Sequence, residues 1–232
     1  MIDDWDLMLG NRILKAEKRN GFIGCITKGA RGYGKSMYNL KCMAYAHYKI
    51  NGCNETDAWN SALEGFIFTP DDLIKMVEQN IDNDEVSLVW CIDDAAVHFS
   101  NLLFFINLYK SALMNATFDT IRTVVRALLV NCPEKHRLMS ALRNYDDYEV
   151  TIYRGIEGGY NRRAVGIKWY SLPSGQRKFR KEFEDYFSCY VPKWIYDKYI
   201  VKRKMYLKEI SEELKILQQK IETKRQRKAS PE

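Results

Sequence analysis

The chain has 232 residues, of which 46% are hydrophobic and 28% charged, with a net charge of +6. That size holds one well-buried domain plus an appendage, and the balance excludes a disordered or fibrous chain. The longest apolar runs, residues 88–92 and 102–106, fall far short of the roughly 20 residues a membrane-spanning helix needs, so no membrane span is expected.

The N-terminus is acidic and lacks the positive start and apolar block of a secretion signal, so the chain is expected to stay in the cytoplasm of the cell that makes it. Residues 5–19 put Trp5, Leu7, Met8, Leu9, Ile13 and Leu14 at helical spacing, a short amphipathic helix. A strand over 22–27 then runs into Gly29-Ala-Arg-Gly-Tyr-Gly-Lys-Ser36, a complete G-x-x-x-x-G-K-S (Walker A) pattern in the strand-loop-helix setting it requires. Glycines let successive amides turn inward around phosphate oxygens, and the helix that follows aims its positive end at them. Gly29, Ala30, Arg31, Gly32, Tyr33, Gly34, Lys35, Ser36 and Met37 are therefore the candidate ATP-binding residues. Lys35 also supplies a mobile charge, and Ser36 a hydroxyl for Mg2+.

The helix over 35–50 is followed by a helical piece at 54–63, a short strand at 66–68 and a helix start at Thr69-Pro70. Residues 86–92 read as a strongly apolar strand ending in Asp93 and Asp94. Asp93 is placed to hold Mg2+ opposite Ser36, and Asp94 to polarise an attacking water; the other reading of Asp94 is a helix N-cap. Because Asp94 is shorter than a Glu, slow hydrolysis is expected. A long helical region over 95–126, a strand over 127–131, a helix near 134–142 and a strand over 148–153 complete five strands joined by helices. Asn131 ends the fourth strand as a candidate γ-phosphate sensor. Arg143 is the preferred arginine to complete a neighbouring subunit's site, ahead of Arg122 and Arg126.

Residues 164–170 and 177–187 flank Leu172-Pro-Ser-Gly, a β-hairpin in which Arg162, Arg163, Lys168, Arg177, Lys178, Arg180 and Lys181 alternate with Tyr160, Trp169, Tyr170 and Phe179. These suit phosphates and bases, or the rings fill the hairpin's underside. From Pro192 onward one long helix is expected. Residues 195–228 carry eleven Lys or Arg against five Asp or Glu, the footprint of DNA or another anionic partner. Ile210, Leu214, Leu217 and Ile221 form a stripe for docking or self-association. The three histidines, His47, His98 and His136, and six cysteines lack metal-ligand or C-x-x-C spacing, so metal is expected only with nucleotide, and the cysteines read as core residues of a reducing compartment.

The P-loop with its strand, Ile92-Asp-Asp-Ala, Asn131-Cys-Pro and Val191-Pro-Lys-Trp-Ile-Tyr-Asp-Lys-Tyr together resemble the DnaA-like, AAA+-type ATPases of Sulfolobus spindle-shaped viruses and related plasmids, over about residues 8–215. The resemblance implies ATP binding and hydrolysis in the replication or maintenance of a viral or plasmid genome, with Ser36 keeping the hydroxyl where that family carries Thr. A hairpin and a basic helix stand where a bacterial initiator would carry a helical lid and a helix-turn-helix. The expected architecture is an α/β P-loop NTPase of ASCE/AAA+ type, a three-layer sandwich on a five-stranded parallel sheet. Residues 1–155 form its core, 156–190 a hairpin extension and 191–232 a basic helix and tail. The expected function is an oligomeric ATPase acting on DNA through hairpin and arm, in the host cell or associated with the virion. The alternatives are a nucleotide-gated DNA- or protein-binding regulator and a DNA-packaging motor.

Overall fold

Cys25, Ile26 and Thr27 are buried on both sides of the first strand, β1 (Ile23–Lys28), as a strand flanked by parallel neighbours requires. The computed structural model of the chain describes residues 5–96, 99, 108–145, 147–155 and 161–229. The further strands are β2 (Phe66–Ile67), β3 (Trp90–Ile92), β4 (Ala127–Cys132), β5 (Tyr148–Arg154), β6 (Asn161–Ser171) and β7 (Arg177–Ser188). Among the described residues they form one seven-stranded sheet in the order β2-β3-β4-β1-β5-β6-β7.

The expectation of a five-stranded parallel sheet with a separate hairpin is thereby corrected. β2, β3, β4, β1 and β5 do run parallel, but β6 and β7 continue the same sheet antiparallel, and their two ladders are longer than the four parallel ones together. The sheet is mixed because β5, paired to β1 on one side, would otherwise leave its other edge of amides and carbonyls unpaired. A bulge between Gly166 and Ile167 bends this extension, and Gly166 is needed there: a Cβ would sit 2.2 Å from the Phe183 ring.

Helices cover both faces of the parallel strands. α1 (Met8–Glu17), α2 (Lys35–Asn51) and α3 (Glu55–Glu64) pack together on one face. On the other, Leu73 of α4 (Pro70–Asp82) and Met114 and Phe118 of α5 (Leu108–Thr120) meet Ile26, Trp90, Ile92, Leu128 and Val130 in one apolar cluster. Burying such residues contributes about 1.5 to 3 kcal/mol each. Thr69 caps α4 in a reciprocal capping box with Asp72, as its sequence suggests. Leu7 cannot cap α1; the Asp185 carboxylate of β7, 177 residues away, accepts from the Met8 amide at 3.0 Å and from the Tyr38 hydroxyl at 2.7 Å. Burial pushes the Asp185 carboxyl up, against the pull of those two donors.

Three local expectations are revised. β3 begins only at Trp90, with Ser87 bridging Val125 alone, because Ser87 has no full neighbour strand at that depth. The helix near 134–142 is a 3-10 turn, Lys135–Arg137, and a single turn, α6 (Ser140–Arg143). Residues 93–96 are a turn; of the helical region expected over 95–126, Leu108–Thr120 is helix, and residues 97, 98 and 100–107, with them His98, lie outside the described residues, as does Tyr160.

The chain divides into two compact units, Met1–Pro192 and Lys193–Glu232. The second is α7 (Lys193–Ala229), 37 residues, or about 55 Å at about 1.5 Å per residue. The side chains of Ile210, Leu214, Leu217 and Ile221 lie outside the described residues. No helix among the described residues is long and apolar enough to cross a membrane.

Candidate phosphate-binding site

Leaving β1, the chain turns through Gly29 at φ 145°, Gly32 at φ 78° and Gly34 at φ 90°, a region favouring glycine at each step. Ala30, Arg31 and Gly32 are exposed, and among the described residues a Cβ on Gly32 would meet nothing within 4 Å. Gly34 is the N-cap of α2 and provides no side-chain cap, which leaves the first-turn amides, those of Lys35, Ser36 and Met37, available to an anion. Lys35 folds back on the loop, its Nζ donating to the carbonyl oxygens of Gly29 at 2.8 Å and Ala30 at 3.1 Å. The base of the loop is tight. A Cβ on Gly34 would lie 2.3 Å from the Sγ of Cys189, just past β7.

Sheet register assembles the acidic side. Thr27 of β1 pairs with Asn131 of β4, and Ile92 of β3 pairs with Val130, so Asp93 emerges beside Asn131 on the face covered by α2. Ser36 Oγ donates to Asp93 Oδ1 at 2.9 Å. Asn131 Nδ2 donates to the same oxygen at 2.8 Å, Asn39 Nδ2 donates to Asn131 Oδ1 at 2.8 Å, and Thr27 Oγ1 donates to Asn39 Oδ1 at 3.0 Å. Thr27, Asn39, Asn131 and Asp93 are all buried, where an unpaired amide or carboxylate would cost about 1 to 3 kcal/mol. Each group in this chain therefore fixes the orientation of the next.

The amide N–H of Asn131 points at Asp93 and its oxygen is taken by Asn39, an arrangement that orients the acid. Asp94 sits in the left-handed region at φ 48° within the 93–96 turn, a conformation that costs about 1 kcal/mol or more for a non-glycine residue, and most of the residues that would form a helix capped by it lie outside the described residues. Arg143 is not brought to the loop of its own chain. It precedes Tyr145, whose backbone abuts Gly24 at the N-terminal end of β1, whereas the loop leaves the C-terminal end. Arg126 is also at that far end, paired with Glu17 at 3.0 Å.

Sequence reading missed Asn39 and Thr27. The available signal was an Asn three residues after Ser36, pointing inward from a helix that is otherwise apolar on that side. It also missed Glu149. This carboxylate, 3% exposed, accepts from Lys28 at 2.7 Å, Lys135 at 2.6 Å and the Trp169 indole at 2.9 Å. Burial pushes Glu149 up, but the bonds from Lys135 and Lys28 outweigh it and hold the carboxyl below its usual value.

Of the hairpin's rings, Trp169 and Tyr170 lie against cations, while Phe179 is exposed. Arg177 lies over Trp169 at 5.1 Å, while Lys168 and Arg180 lie over Tyr170 at 5.7 and 5.4 Å.

The chain is 26% identical over 220 residues to the uncharacterized protein B-251 of Sulfolobus spindle-shape virus 1, an alignment covering 91% of this chain and 85% of that protein. No protein-family profile matches the sequence. Among solved structures, the N-terminal domain of zonular occludens toxin from Neisseria meningitidis is similar at a TM-score of 0.43 and 14% identity, covering 76% of this chain and 97% of that domain, a likeness too low to carry an argument.

Proposed function

We infer that the chain is a P-loop nucleotide hydrolase that binds ATP with Mg2+ and acts on DNA in viral or plasmid genome replication or maintenance. The observation that supports this best is the meeting of Ser36 Oγ with Asp93 Oδ1 at 2.9 Å beneath an uncapped helix terminus. A hydroxyl and a carboxylate oxygen at hydrogen-bond distance are hard oxygen donors of the kind Mg2+ takes together with nucleotide phosphates. Bound Mg2+ would neutralise charge on the phosphates. In this reading the amides of 29–37 cradle the phosphates, Lys35 trades two carbonyl oxygens for phosphate oxygens, and Asn131 holds Asp93 in orientation. Asp94 accepts the proton of the attacking water.

Titration of Mg-ATP into the full-length protein by calorimetry tests this. Wild type binds with micromolar or tighter affinity, and Lys35→Ala weakens binding by at least about a hundredfold, as loss of a charge-assisted contact worth about 3 kcal/mol implies. Equal binding by the two proteins overturns the reading.

A second reading is a nucleotide-gated DNA-binding regulator with little turnover. It is favoured by the short acid at Asp94 and by Arg143 and Arg126 lying at the opposite end of the sheet from the loop. Turnover that rises steeply with protein concentration would instead support a homo-oligomer in which a neighbour supplies the arginine.

A further inference from the structure

β6 runs antiparallel to β5, so its last residues pass the N-terminal end of the parallel strands, opposite the phosphate loop. The final β5 pairing is Tyr148 with Lys168. Beyond it, the pairs Trp169–Phe179, Tyr170–Lys178 and Ser171–Arg177 and a turn through Leu172 and Gly175 extend as a two-stranded ribbon with no third strand among the described residues. Three pairs at about 3.4 Å per residue project it about 10 Å.

From Lys168 to Lys181 the sequence has five cations and no acidic residue. Directly paired residues share a face, so Arg177 and Lys181 lie on one face and Lys168, Lys178 and Arg180 on the other. Arg180 and Lys181 pair with Glu182 and Glu184, nearer the ribbon's root. The rings are held inside the ribbon. Trp169 donates its indole N–H to Glu149, takes the Phe179 edge against it and has Arg177 across it. Tyr170 lies under Lys168 and Arg180 and donates to Glu182. Only Phe179, 64% exposed, offers a large apolar surface there.

A single-strand binder needs free ring faces on which bases stack. This ribbon instead presents cations on both faces and covers Trp169 and Tyr170 with them, leaving one exposed ring. A B-form major groove, about 12 Å wide and about 8.5 Å deep, admits a two-stranded β-ribbon and has phosphates on both walls. The A-form RNA groove is too deep and narrow for side chains to read. We propose that residues 168–181 form a ribbon that enters the major groove of double-stranded DNA, with the aromatic rings serving as supports for the cations. The proposal rests on the DNA part of the reading above.

The test uses full-length protein and fluorescence anisotropy with a mixed-sequence DNA duplex, one of its separated strands and an RNA duplex of the same sequence, at several salt concentrations. The variants are Arg177→Gln with Lys178→Gln, which removes one cation from each face, and Phe179→Ala. The expected result is tightest binding to duplex DNA, weakened at least about fivefold by the double variant with a shallower salt dependence, and changed less than about twofold by Phe179→Ala. Mg-ATP affinity of both variants stays at the wild-type value, since the loop is at the other end of the sheet. Preference for the single strand, or a larger loss from Phe179→Ala than from the double variant, overturns the groove assignment. Duplex binding by wild type and double variant alike removes the ribbon as the interface. Absence of nucleic-acid binding by wild type overturns this proposal together with the DNA part of the proposed function, leaving the nucleotide part to the Lys35→Ala comparison.

Discussion

The two ends of the sheet use charge in opposite ways. At the C-terminal ends of the parallel strands, Thr27, Asn39, Asn131, Asp93 and Ser36 form a chain in which almost every polar atom is buried and committed to a neighbour. At the opposite end, the hairpin carries five cations, of which Lys168, Arg177 and Arg180 lie over rings. A buried polar group left unpaired costs about 1 to 3 kcal/mol, so the first end specifies one geometry; exposed cations cost little and suit a partner with repeating negative charge. On the function proposed above, the first end takes one small ligand and the second a long polyanion.

The contrast is broken most strongly at Gly34. Gly34→Ala places a methyl 2.3 Å from Cys189 Sγ at a φ of 90°, and the expected result is a loss of Mg-ATP affinity of at least about tenfold, with duplex binding in the absence of nucleotide unchanged. Adding Cys189→Ala should recover part of that loss, because it removes the clash and leaves the backbone strain; calorimetry on both proteins reads the difference.

A smaller effect is expected from Asn39→Leu, which strips Asn131 of its donor. Thermal unfolding should show a loss of about 1 to 3 kcal/mol, and the Mg2+ concentration needed for half-maximal nucleotide binding should rise several-fold. Asn39→Asp, which keeps the shape but gives Asn131 no N–H to accept from, should resemble Leu in that Mg2+ requirement. An unaltered requirement in both would reduce the relay to a structural filler.

The smallest effect is the pH response. Neither ring nitrogen of His47 has a hydrogen-bond partner among the described residues, and burial lowers its pKa from 6.5 to about 4. Between those values the unfolded chain binds a proton that the folded chain refuses, so stability falls as pH drops through this window. Glu149, held below its usual value, adds a contribution present above the unfolded carboxylate pKa and lost on further acidification. Melting curves from pH 7 to pH 4 should therefore show a falling Tm, and His47→Leu should flatten the fall between about 6.5 and 4.

What could be read from the chain alone follows covalent proximity. β1, the glycine loop and α2 are contiguous, so their pattern carries both the residues and the geometry; Asp93 is legible because an apolar strand ends on it. The relay is not, since Thr27 meets Asn131 only through a parallel pairing, and Asn39 joins them only through the rotation of α2. Alternation revealed the hairpin, but not that β5 would bind it into the main sheet. Arg143 shows the same limit from the other side: its place in the sequence between β4 and β5 is correct, yet sequence does not say which end of the sheet that connection reaches. For Trp169 the sequence left stacking on bases and packing under the hairpin both open, because composition records rings and cations, not which lies over which.

The contact between Gly34 and Cys189 also orders events during synthesis. The glycine turn is translated early, but the wall against which it is moulded arrives about 150 residues later, along with the Asp185 carboxylate that fastens Met8 and Tyr38. A ribosome-tethered chain halted before β7 would hold the whole G-x-x-x-x-G-K-S segment without its backing, and would gain affinity for triphosphate only when the last strand emerges.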